Sequence, residues 1–214
     1  MKSYFAELIG TAFLLAIVTG SGLMGQTLGA GNAAVALLGN SLATGAGLYV
    51  LITILGPISG AHFNPLVSLM FWKLGDLDLK KMFGYWTSQC IGALTGIVLT
   101  HIMFNLPIIQ ESTHIRTGLG IWLSEFVSTL VLLIVIHIGD RQTKNQVPML
   151  VALTVTAGYW FTSSTFFCNP AVALARSFTN TFVGIAPQNV LGFILAEVLA
   201  TLFMLFFIKR PTLL

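Results

Sequence analysis

Two short stretches carry the residues that could act on a small molecule: SGAHFNPLVSLMFW at 59–72 and STFFCNPAVALARSF at 164–178. Each sets an Asn-Pro pair into an apolar run, as Asn64-Pro65-Leu66 and Asn169-Pro170-Ala171. Asparagine suits a helix N-cap, where its side-chain oxygen accepts a backbone N–H. Proline suits the first helical position, where no donor is lost. Both stretches therefore predict a helix start with an uncharged amide at its tip. A helix N-terminus concentrates about half a positive charge, which opposes cations, while the amide NH₂ can donate to a neutral hydroxyl-bearing solute. Nothing else in the chain offers a clustered nucleophile, base and orienting group, so an enzyme is not expected. His62 has no second ligand at a suitable spacing, so neither a metal nor a cofactor is expected.

The chain around these motifs is apolar enough to live in a bilayer. Of 214 residues, 56% are hydrophobic and 8% are charged, against about 25% charged in a soluble domain. Runs of about 20 residues, the length needed to cross, are read at 4–24, 33–55, 82–104, 119–138, 148–167 and 189–208. Six crossings leave connections too short for a further domain, and no nucleic-acid surface. Glu7 interrupts the first run, which exceeds a secretory h-region and is read as a span. Lys2, Lys73, Lys80, Lys81, Arg141, Lys144, Lys209 and Arg210 fall on one side of this arrangement, with only Arg116 and Arg176 on the other. By the positive-inside rule both termini are cytoplasmic.

The two motifs belong to an internal repeat. AELIGTAFLL (6–15) matches SEFVSTLVLL (124–133), with Glu7 opposite Glu125, and HFNPLV (62–67) matches FCNPAV (167–172). YWTSQCIGA (85–93) is matched more faintly by FILAEVLAT (193–201), with Gln89 opposite Glu197. Two halves of three spans each, about 1–105 and 117–214, must enter from opposite faces, which makes one domain with an inverted repeat. Segments 64–72 and 169–178 are too short to span at 1.5 Å per residue, so each is expected to be a re-entrant half-helix reaching the bilayer middle. Irregular backbone is tolerated at that depth where it is buried or lines a water-filled path, which places Gly60, Ala61 and His62 along that path. Glu7 and Glu125 are expected to accept N–H groups from the opposing re-entrant loop, with proton coupling as the sharper alternative. Gly92 and Gly96 form a small-xxx-small pair assigned to packing within the chain.

The paired motif, the repeat and YWTSQCIGA resemble the aquaporin family of major intrinsic proteins over nearly the whole chain. That resemblance implies a passive channel for water and small uncharged solutes in a bacterial inner membrane, assembled as a homotetramer in lipid with one pore per subunit. It also implies an outer constriction of four residues, carried over by spacing to Thr44, Ala157, Phe166 and Val172. Most members carry arginine at the place of Val172 and tend to histidine at that of Ala157 when water-selective. The constriction is therefore expected to be wide and apolar apart from Thr44, and the pattern is similar to bacterial members that pass small polyols and neutral trivalent arsenic acid (arsenite). Arg176 returns nearly to the Asn169 face and reads either as a vestibule charge or as a solvated helix-end arginine. Leu66, in place of the usual alanine, reads either as a spacer or as a gap filler. Cys168 reads as a filler or as a thiol near the path, and His101 and His137 as interfacial. A secondary transporter coupling through Glu7, Glu125 and Glu197, and a non-conducting adhesion protein, are the rival classes.

Overall fold

The computed structural model describes residues 1–208; Lys209 and Arg210, counted above in the charge bias, lie outside the described residues. The described residues form helices α1 (Lys2–Leu28), α2 (Ala33–Ser59), α3 (Pro65–Leu74), α4 (Leu79–Met103), α5 (Leu119–Gln142), α6 (Val147–Phe161), α7 (Pro170–Arg176) and α8 (Pro187–Phe207), with a 3₁₀ turn at Lys144–Gln146. Local chemistry sets several starts: Asn32 and Asp78 cap α2 and α4 through their side-chain oxygens, and Pro187 opens α8. Four helices, α1, α2, α5 and α8, are long and apolar enough to cross a membrane.

Polarity is arranged for an apolar solvent. Phe5, Ile54, Leu123, Leu195 and Phe206 are exposed, whereas Glu7, Thr11, Ser41, Gln89, Glu125 and Thr201 are buried. In hydrocarbon the outward apolar side chains gain nothing by burial, so close packing and internal hydrogen bonds hold the helices together. α1 packs against α2 and α4, and α5 against α6 and α8. α3 lies on α4 as α7 lies on α8, and each short helix also touches the long helix of the other set, α3 with α8 and α7 with α4. The contacts of the first four helices thus recur in the last four.

Gly92 and Gly96 explain the tightness of the α1–α4 pair. A Cβ on Gly92 would collide with the Leu8 carbonyl oxygen, and one on Gly96 with that of Ala12. The small-xxx-small pair is spent on packing inside the chain.

The run read at 148–167 departs from expectation: α6 stops at Phe161. At 1.5 Å per residue its 15 residues reach only about 22 Å. The Thr162 hydroxyl bonds back to the Gly158 carbonyl at 2.8 Å, and Thr165 and Phe166 then take positive φ. The last residues of that apolar run are loop, and the loop is what carries the second motif to its place.

Candidate functional site

Asn64 and Asn169 are buried, extended N-caps of α3 and α7. Asn64 Oδ1 accepts from Leu66 N at 2.9 Å, and Asn169 Oδ1 from Ala171 N at 3.0 Å and Val172 N at 3.4 Å. The Nδ2 groups cross between the halves. Asn64 donates to the Cys168 carbonyl and Asn169 to the Phe63 carbonyl, both at 2.7 Å. Each caps its own helix and binds the loop that precedes the other's asparagine. An NH₂ carries two hydrogens, so one on each side chain is left for the cavity that both asparagines line.

The loops before the asparagines share an unusual backbone. Positive φ occurs at four, three and one residues before each Asn: Gly60 (94°), Ala61 (51°) and Phe63 (48°), then Thr165 (66°), Phe166 (58°) and Cys168 (43°). Five of these six are not glycine, and such a residue costs about 1–3 kcal/mol unless its surroundings fix it. Buried carboxylates do the fixing. Glu7 accepts from His62 N (2.9 Å), Phe63 N (2.7 Å), Ser59 Oγ (2.6 Å) and Gln89 Nε2 (2.8 Å). Glu125 accepts from Phe167 N (3.1 Å) and Cys168 N (2.8 Å), and Glu197 from Asn169 N (2.9 Å). The expectation that each glutamate holds the opposing loop is therefore corrected. Each serves the loop of its own half, because α1 carries Glu7 against residues 59–63 and α5 carries Glu125 against residues 167–168; the asparagines make the crossing bonds instead.

A cavity of about 700 Å³ runs past both caps. Asp76, Lys81, Asp140 and Lys144 stand at one end, and Thr44, Tyr159, Phe166, Val172 and Arg176 at the other. Salt bridges Arg141–Asp76 and Lys144–Asp140, each 3.6 Å, frame the first end. Among the described residues, no Asp, Glu, Lys or Arg side chain lines the stretch between. Gly60, Ala61 and His62 contribute to that stretch, with Leu48, Ile52, Val67, Val151 and Val155. His62 is fixed by a 3.0 Å contact from Nδ1 to Ser68 Oγ and by stacking on Phe71 at 4.7 Å.

Ala157 does not belong to this lining. It is exposed on the outer side of α6, and Tyr159 lines the cavity instead, 3.3 Å through its hydroxyl from Thr44 Oγ1. The reason is helical phase: Val147, Val151, Val155 and Tyr159 recur every four residues on the inward face, and 157 lies about 200° from 159. Counting back from Asn169 ignores that phase. The apolar stripe along α6 was the signal that could have found Tyr159.

Leu66 is buried and does not line the cavity. Pro65, Pro170 and Ala171 likewise shape the helix starts from outside the lining. Arg176 is buried rather than solvated. His101 is also buried, with Nδ1 2.8 Å from the Ile108 carbonyl and Nε2 2.8 Å from Thr179 Oγ1, and is not interfacial. Cys168 is buried and lines the cavity.

Two capped helix tips facing one cavity, with no Asp, Glu, Lys or Arg along its middle, inside an apolar bundle define a membrane channel for small uncharged solutes. Residues 1–190 match the family model of the major intrinsic proteins, and the chain belongs to that family, whose members are transporters rather than enzymes. It is similar to the aquaglyceroporin AqpS of Rhizobium meliloti, 53% identical over 194 residues, covering 91% of this chain and 83% of the relative. A probable glycerol uptake facilitator protein of Thermotoga maritima is 30% identical over 175 residues, 72% of each chain. Aquaporin-8 of Mus musculus is 34% identical over 124 residues, 53% of this chain and 46% of that protein. The fold is similar to the X-ray structure of the aquaglyceroporin from Plasmodium falciparum, with a TM-score of 0.77, 21% identity, and 96% and 94% of the two chains covered.

Proposed function

We propose that the protein conducts water, glycerol-like polyols and neutral metalloid acids such as arsenous acid through the cavity beside Asn64 and Asn169. The reciprocal bonds Asn64–Cys168 and Asn169–Phe63 carry this reading. They support two electropositive helix tips meeting beside an uncharged path, an arrangement that suits hydroxyl-bearing solutes and opposes cations. Thr44, Phe166 and Val172, with Tyr159 in the place expected for Ala157, form the outer constriction. It offers two hydroxyls, which matches polyols, and its apolar remainder matches their carbon side. The similarity to an aquaglyceroporin supports the same solute size.

In this reading α1, α2, α4, α5 and α8 are crossings, α6 makes the sixth together with the 3₁₀ turn before it and the loop after it, and α3 and α7 are half-helices entering from opposite faces. Halves of about 1–105 and 117–214 form an inverted repeat in one domain, supported by the recurring helix contacts and by the matched positive-φ positions. Both termini lie in the cytoplasm of a bacterial inner membrane, and four chains assemble in lipid, each with its own pore. Glu7 and Glu125 are structural. Both are fully buried and absent from the lining, which gives a coupled carrier no accessible site.

Stopped-flow light scattering of proteoliposomes tests the solute range. After shrinkage by glycerol, urea or arsenous acid, vesicles holding the protein should re-swell at least about tenfold faster than empty ones, consistent with a wide neutral constriction. Fast water flow with glycerol excluded would overturn the assignment of the constriction.

A further inference from the structure

With Val172 at the constriction, the position that supplies a fixed cation in most of the family has none. The structure holds two guanidinium groups nearby, and both are anchored by one short stretch of loop. Arg116 Nη2 donates to the Phe182 carbonyl at 3.2 Å and its Nε to the Gly184 carbonyl at 2.8 Å. Arg176 Nε donates to the carbonyl between them, that of Val183. The three consecutive carbonyls 182–184 thus alternate between the two arginines. Phe167 serves both as well, with its ring centroid 3.4 Å from the Arg176 guanidinium carbon and 5.5 Å from that of Arg116.

Neither arginine forms a salt bridge among the described residues, and Glu125, the buried carboxylate that acts on both electrostatically, is engaged by the Phe167 and Cys168 N–H groups. Carbonyl dipoles and a ring face orient a guanidinium without cancelling its charge, whereas a carboxylate would cancel it. Arg176 is also 2% exposed and still lines the cavity, beside Thr44, Tyr159 and Val172. Its Nε is spent on Val183, which leaves its terminal nitrogens for that end of the path. Beside a narrow path with apolar walls a fixed charge is screened less than at an open surface.

We propose that Arg176 excludes cations from this channel, with Arg116 as the positioning residue that fixes loop 182–184 and adds a second like charge behind it. Cation exclusion is thereby displaced one turn along α7 from Val172, so the constriction itself stays open to polyols while the charge is retained. This rests on the channel reading above and deepens it.

The test is the ratio of potassium flux to glycerol flux, measured in the same proteoliposomes, so that poor insertion of a variant lowers both and leaves the ratio intact. Arg176→Gln should raise the ratio about tenfold or more, and Arg176→Lys should hold it near that of the unaltered protein because the charge stays. Arg116→Gln should raise it less, and Arg116→Lys should restore most of the effect, which a merely structural role would not require. An unchanged ratio in Arg176→Gln would overturn the proposal. If that variant conducts nothing, an unchanged ratio in Arg116→Gln would do the same. Absent glycerol flux in the unaltered protein would instead sink the channel reading itself.

Discussion

Glu7→Leu and Glu125→Leu should each abolish the folded channel. Leucine at 125 strands the N–H groups of Phe167 and Cys168, and leucine at 7 strands those of His62 and Phe63 with the Ser59 hydroxyl and the Gln89 amide. An unsatisfied buried donor costs about 1–3 kcal/mol, and hydrogen bonds to charged groups lie at the upper end. The positive-φ backbone those bonds hold adds to the loss, so about 5 kcal/mol is at stake against a typical total of 5–15 kcal/mol. Thermal unfolding in detergent and glycerol flux in vesicles should both report it. Glu7→Gln separates structure from proton coupling. All four partners of Glu7 donate, so a glutamine NH₂ would face a donor and cost about 2 kcal/mol, while the pH profile of glycerol flux should stay flat relative to the parent. A pH response abolished by that substitution would make Glu7 a coupling group after all.

Val172→Arg is the second large effect, and it acts on flux rather than on folding. Val172 is 6% exposed at the cavity end with Thr44, Tyr159 and Phe166. A guanidinium there takes up the width that the valine leaves and points at Arg176, whose charge is already fixed. Glycerol flux should fall by about one to two orders of magnitude, and water flux less, because the narrowed path still admits the smaller molecule. Stopped-flow traces with the two solutes check this directly. Undiminished glycerol flux in a well-inserted Val172→Arg protein would show that the solute path does not pass Val172.

The sequence made the scaffold legible because its signals were local. Asn-Pro marks the starts of both short helices, since capping chemistry is decided by two adjacent side chains, and the observed bounds are Pro65–Leu74 and Pro170–Arg176. The role of Gly92 and Gly96 followed from their spacing and was met by the α1 backbone. What could not be read depended on helical phase or on tertiary reach. Ala157 and Tyr159 differ by two residues in sequence and by opposite faces in space. That Glu7 holds a motif loop is legible in the repeat, but which loop is not, because repeat symmetry alone does not say whether a carboxylate serves its own half or its mate. The charges of Arg116 and Arg176 were visible, yet their shared carbonyls at 182–184 come together only when the loop before α5 folds over the loop after α7. Their part in selectivity is a property of that packing.

The passive nature of the conduit is open to one decisive measurement, the dependence of unidirectional glycerol flux on glycerol concentration in vesicles. The crossing bonds between Asn64 and Cys168 and between Asn169 and Phe63 tie the two halves together around a fixed path. Flux should therefore rise in proportion to concentration up to about molar levels, with no acceleration by glycerol on the far side. Saturation at millimolar glycerol together with trans-acceleration would mean that the halves move against each other to carry solute, and would contradict the account.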